Sequence, residues 1–198
     1  MSKTKSVFSI AVVALLVATP AMGQLLNYPI TALPAGDADG ATSIGAGWGR
    51  GLNEDSGKLN AFGVGITRAA ETVSYSVAGV YVNSSDIGLG GRLAYNGLSE
   101  NIGIQGGIEW KSPDAGTQLN LPIGISISGA SESVRYSVMP RVQFTRTSGT
   151  TTTTETDFGV SAGIGFATEG GVGLALSGDW VSGTSSILVG AAVYYQLP

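Results

Sequence analysis

The chain has no cysteine and no histidine, and it is poor in charge. Without cysteine there is no disulfide framework and no thiol chemistry. Without histidine the commonest general base is missing, and so is the usual partner of a nucleophilic serine. The only lysines beyond the first five residues are Lys58 and Lys111, both at expected turns, so a serine–lysine pair has no support either. Glu109, Asp157 and Asp179 stand on separate segments with no spacing that marks an acid–base pair. Zinc and haem lack their usual histidine and cysteine ligands. The glycine run at 88–91 does not open a helix after a strand, which is the context a nucleotide-binding turn requires. We therefore expect no enzyme activity, no cofactor and no metal. Charged residues make up 12% of the chain, against about 25% in ordinary soluble domains. The net charge of −4 offers no basic face to nucleic acid. Past the first 23 residues no stretch approaches the roughly 18 uninterrupted apolar residues of a membrane helix.

The first 23 residues have the form of an export signal. Lys3 and Lys5 make a basic start, Val7 to Val17 an apolar stretch, and Ala21, Met22 and Gly23 supply small residues for cleavage before Gln24. Removing the two lysines takes the net charge from −4 to −6 over residues 24–198. Residues 24–40 show no period and contain Pro29, Pro34, Asp37 and Asp39, so they read as an irregular lead-in.

What the chain has in abundance is glycine, 31 residues, and two-residue alternation. Between Ser133 and Thr145, Val134, Tyr136, Val138, Pro140, Val142 and Phe144 share one face, while Arg135, Ser137, Met139, Arg141 and Gln143 share the other. Phe158, Val160, Ala162, Ile164 and Phe166 repeat the pattern. Ten such runs follow from Ala41, near 41–51, 58–68, 72–82, 87–96, 101–111, 118–128, 133–146, 156–167, 171–181 and 185–196, separated by turn chemistry. The expected fold is all-β, an antiparallel up-and-down transmembrane barrel over residues 41–198 with ten strands, or eight as the fallback. A strand of eight residues tilted by about 40° covers about 20 Å, close to the apolar height of an outer-membrane barrel.

The aromatic residues sort to the ends of the apolar face. Trp48, Tyr81, Trp110, Phe144, Phe158 and Trp180 would form one row, and Tyr75, Tyr95, Tyr136, Phe166 and Tyr195 the other, as expected of rings at two membrane–water boundaries. An even strand count puts both termini on the periplasmic side and makes the odd-numbered connections extracellular. Of these, Ser112 to Thr117 and Thr147 to Glu155 are expected to be the longest, the second being a polar tip with threonine at 150–154.

The opposite face is small and polar. Gly45, Gly47, Gly49, Gly63, Gly65, Gly88, Gly90, Gly103, Gly107, Gly159, Gly163 and Gly165 leave it largely without side chains. Arg92, Glu109, Arg135, Arg141, Asp157 and Asp179 stand in the same register. These charges either line a constriction that selects solutes or pair with one another and tie the wall together.

In the last run, Gly190, Val193 and Tyr195 are similar to the C-terminal assembly signal of outer-membrane barrels, a glycine followed by hydrophobic residues three and five positions later. Leu188 stands where that family prefers a polar residue, and Leu197 and Pro198 follow the aromatic. Together with the export signal and the ten runs, the chain resembles the small outer-membrane β-barrel proteins. The resemblance implies insertion into the outer membrane of a Gram-negative envelope, with membrane lipid and the barrel-assembly machinery as partners and small polar solutes as passengers of a porin-like channel. Three other readings remain open at this stage: a structural wall protein with a small polar lumen, a surface-exposed adhesion or binding barrel, and a secreted ligand-binding barrel of lipocalin type with its apolar face inward.

Overall fold

The computed structural model describes residues 42–52, 60–69, 72–82, 86–99, 101–112, 116–131, 134–168, 170–183 and 186–197. They form ten strands: β1 (Thr42–Gly51), β2 (Asn60–Ala69), β3 (Val73–Val82), β4 (Asp86–Ser99), β5 (Ile102–Ser112), β6 (Thr117–Ser131), β7 (Val134–Ser148), β8 (Thr152–Ala167), β9 (Val172–Val181) and β10 (Ser186–Leu197). Every strand pairs antiparallel with its sequence neighbours, and β1 pairs with β10 to close the sheet into a barrel. Ten strands, and not the eight-strand fallback, satisfy every ladder, and closure leaves no open edge in the sheet. The expected export signal and lead-in lie outside the described residues.

Followed perpendicular to the strands, the registers return to β1 displaced by about 12 residues, which corresponds to a strand tilt of about 40° and a backbone radius of about 10 Å. Two prolines interrupt the ladders where an N–H is lacking. Pairing between β5 and β6 lapses beside Pro122, and pairing between β6 and β7 lapses opposite Pro140. On β4 the register to β5 shifts between Tyr95 and Ser99, so a bulge lets that strand run on to Ser99.

One expected loop proves to be mostly strand. Thr152, Thr153 and Thr154 pair with Ser148, Thr147 and Arg146, so the connection between β7 and β8 shrinks to residues 149–151. The physical reason is β-branching: a threonine run fits a pleated strand better than a flexible tip. The connection between β1 and β2, residues 52–59, is longer than either of those expected to be longest.

The sidedness is the decisive feature. Large apolar side chains point outward on every strand, among them Phe62, Val64, Leu89, Ile108, Ile123 and Val142, at 41–65% exposure. The inward positions are Gly, Ala and Ser interspersed with Arg, Glu, Gln and Asn. A lipocalin-type barrel needs the reverse, so that reading is overturned by the direction of the pleat. An apolar belt on this scale is far larger than the few hundred Å² a water-soluble monomer exposes, and a closed barrel is one of the two structures that satisfy their backbone within lipid.

Candidate functional site in the barrel interior

All six charges singled out from the sequence occupy the inward register, and the barrel brings four of them together. Arg92 on β4 reaches Glu109 on β5, with Nη2 to Oε1 at 3.1 Å. Arg141 on β7 meets Asp179 on β9 in a two-pronged pair, Nη1 to Oδ1 at 2.8 Å and Nη2 to Oδ2 at 3.1 Å. Arg92 also interacts electrostatically with both Arg141 and Asp179, so the two pairs form one cluster. Its two cations and two anions cancel.

The Arg141–Asp179 pair spans β8, the strand between them, and the sequence of β8 makes room for it. A Cβ at Gly159 would lie 2.8 Å from the Arg141 Cζ, so the guanidinium can cross only over a glycine. One residue pair along, Ser161 Oγ accepts from Arg141 Nη1 at 2.8 Å and donates to Asp179 Oδ1 at 2.9 Å. Arg141 Nη2 donates to Gln143 Oε1 at 3.5 Å, and Gln143 Nε2 donates to Thr145 Oγ1 at 3.1 Å. The side chains of Arg141 and Asp179 are both 0% exposed. Burial at that level is tolerable only because the ions satisfy each other and their polar neighbours.

Asn120 completes the polar patch on β6. It is 1% exposed, and neither atom of its amide makes a hydrogen bond within the protein. Asn120 was missed in the sequence, whereas Gln143, Ser161 and Gly159 were placed on the polar face without a role in the cluster. They share the inward register with the charges, and that shared parity was the available signal.

Arg135 and Asp157, the other two charges, lie apart from this cluster. Arg135 stands near the rim that carries both termini and interacts with Tyr194. Asp157 lies at the opposite rim, with its carboxylate against Gly183. Among the described residues no group of histidine, cysteine or carboxylate side chains could hold a metal ion.

The interior is lopsided. Arg92, Gln105, Glu109, Met139, Arg141 and Gln143 crowd the wall from β4 to β7, whereas β9, β10, β1, β2 and β3 present mostly glycine, alanine and serine, with Val80, Val82, Val181 and Leu188 toward one rim. Tyr194 is the large exception, folded over Gly173 opposite it on β9.

On the outer face, ten of the eleven expected interface aromatics are exposed: Tyr75, Tyr81, Tyr95, Trp110, Tyr136, Phe144, Phe158, Phe166, Trp180 and Tyr195. Trp48 is half-buried in the same outward register, paired across from Phe62, an outward aromatic that sequence reading overlooked. Phe158 and Trp180 meet edge to face with ring centroids 6.3 Å apart. Of the assembly-signal residues, Gly190 faces inward while Val193 and Tyr195 face outward.

No family model matches the chain, and no curated protein does. Solved structures similar to it are membrane barrels. A chain from a de novo design of transmembrane β-barrels is 13% identical, with a TM-score of 0.46, covering 81% of this chain and 98% of its own. The NanC porin is 9% identical, with a TM-score of 0.48, covering 79% and 100%. The KdgM porin is 10% identical, with a TM-score of 0.46, covering 79% and 99%.

Proposed function

We propose that this chain is an integral outer-membrane β-barrel forming a narrow channel for small polar solutes, exported by a cleaved signal and inserted with both termini toward the periplasm. The observation that carries this reading is the sidedness of the wall: apolar side chains outward on all ten strands, small and polar ones inward. The orphaned Asn120 amide supports a hydrated interior. A buried amide without a partner costs about 1–3 kcal/mol, a penalty that water or a polar solute group removes.

The central cluster is neutral, so ion preference falls to inward charges outside it, with Arg135 first. Apart from residues 52–59, the connections at the rim opposite the termini are of three or four residues, which gives an adhesive surface little area, and most of the threonine run lies within β8. A closed, purely structural wall is the second reading, favoured by the complete burial of Arg141 and Asp179.

Single-channel recording of the refolded protein in a planar lipid bilayer separates the two. Reproducible conductance steps support the channel. Confirmed insertion with a silent bilayer, in the full chain and in a chain lacking residues 24–40, overturns it.

A further inference from the structure

Charge is sorted between the two faces of the wall. Among the described residues every carboxylate, Asp86, Glu109, Glu155, Asp157 and Asp179, stands in the inward register, whereas Arg50, Arg68 and Arg146 stand in the outward one and are exposed. An outward arginine is tolerable at the edge of the apolar band, where its guanidinium reaches the lipid headgroups. Arg68 is so placed: it is the last residue but one of β2, near the rim that carries the termini, and it pairs across to Tyr75 on β3.

Beside Tyr75 a groove of about 630 Å³ runs over the outer surface of β3, β4 and β5. Its walls include Tyr75, Val77, Ile104 and Ile108, and Gly91 and Gly106 form its floor. The barrel itself does not require these two glycines. Neither has a positive φ. Beyond the chain neighbours, a Cβ would come no closer than 3.6 Å to another atom at Gly91 and 3.8 Å at Gly106, ordinary contacts, in contrast to the 2.8 Å at Gly159. Their effect is to keep the outer surface hollow between the walls. Tyr95 turns down its own strand over Gly97, toward the rim and not across the floor. The four positions from Ile104 to Ile108 span about 13 Å along β5, about half of an apolar band roughly 25 Å tall, so the groove belongs to one leaflet.

We propose that the outer face of β2 to β5 is a seat for one anionic phospholipid, with its phosphate on the Arg68 guanidinium and one acyl chain in the groove over Gly91 and Gly106. The proposal rests on the membrane reading above and is independent of whether the lumen conducts. Charge selects the occupant. A guanidinium matches a phosphate in geometry as well as in sign, and the Tyr75 side chain brings a hydroxyl donor to the same boundary. With the described carboxylates all turned inward, the ammonium of a zwitterionic headgroup finds no partner on this face, so a headgroup of net negative charge is favoured.

The test uses quenching of tryptophan by lipids brominated on the acyl chain. In one full-length variant Trp48, Trp110 and Trp180 are replaced by Phe and Val77→Trp puts the sole indole on the groove wall. A second variant keeps only Trp180, on β9, away from the seat. Brominated phosphatidylglycerol is set to compete with phosphatidylcholine in vesicles. We expect phosphatidylglycerol to be preferred about fivefold at the groove, as one arginine at a membrane surface confers, and not at Trp180. Arg68→Gln should abolish the preference, and Gly91→Leu, which fills the floor, should weaken it. Equal preference at the two positions, or a preference untouched by Arg68→Gln, would overturn the seat. So would Gly91→Leu dissolving a dimer detected by cross-linking, because the groove would then hold a second copy of the chain. If Val77→Trp does not fold, Leu93→Trp takes its place with the same outcomes. Quenching at Trp180 without selectivity at the groove removes only the seat, whereas no quenching at either position removes the membrane reading itself.

Discussion

Asp179 receives both outer guanidinium nitrogens of Arg141 across a strand to which neither residue belongs, at 2.8 and 3.1 Å. The pair is fully buried, and it draws together β7, β8 and β9 from the inside of the wall. Such an arrangement costs a great deal when half of it is removed, because the remaining charge stays buried without a partner.

Asp179→Asn should therefore lower the stability of the folded barrel by about 3 kcal/mol, the usual penalty for breaking a buried pair. The joint replacement Arg141→Met with Asp179→Leu should cost clearly less. Urea unfolding, followed by the shift of the heat-modifiable band, measures both, and equal losses would show that the charges are hydrated.

Gly159→Val should displace the guanidinium, since even the first carbon of the new side chain falls 2.8 Å from the Arg141 Cζ. Combined with Asp179→Asn it should add little, because both changes remove one interaction. Full additivity in the same unfolding assay would mean that Gly159 serves some other purpose.

Tyr194 fills the interior above Gly173 and donates a long hydrogen bond, 3.4 Å, to the carbonyl of Phe166. Tyr194→Ala should cost about 3 kcal/mol through the cavity it opens. Tyr194→Phe should cost only a fraction of that, since the ring does most of the packing.

Val64 lies near the middle of β2 and is 65% exposed. Val64→Arg should destabilise the protein by about 2–4 kcal/mol in a bilayer, the range for a cation near the midplane of a lipid-facing strand. Neutral behaviour, together with solubility in the absence of detergent, would refute a lipid-facing surface.

Arg135→Ser should move the channel's reversal potential in a salt gradient toward cation preference, because it removes an inward positive charge that lies outside the neutral cluster. Arg141→Ser should act mainly on stability. The opposite pattern would place the selective charge in the cluster.

Much of the architecture was legible because a pleated strand has an integral period. Val134 to Thr145 could alternate faces only as a strand, and ten such runs with an even count implied a closed wall with its termini together. Strand ends were less legible at the threonine run, where local polarity suggested a loop and β-branching extended the ladder. In the interior, the charges could be assigned to a face but not to partners. Arg141 and Asp179 are 38 positions apart, on strands that are not neighbours in the sheet, and nothing local in the chain links them.

By itself the sequence determined the alternation, and with it a count of ten runs, the two unlike faces, and the absence of thiol and imidazole side chains. Alternation is a property of one strand, so it divides residues into two faces without deciding which of them lies inside. Only closure of β1 on β10 decided that the apolar face looks outward. The tertiary structure also decided that four charges cancel in one cluster, because tilt and stagger bring together inward side chains from β4, β5, β7 and β9, and this geometry exists only once the sheet has closed.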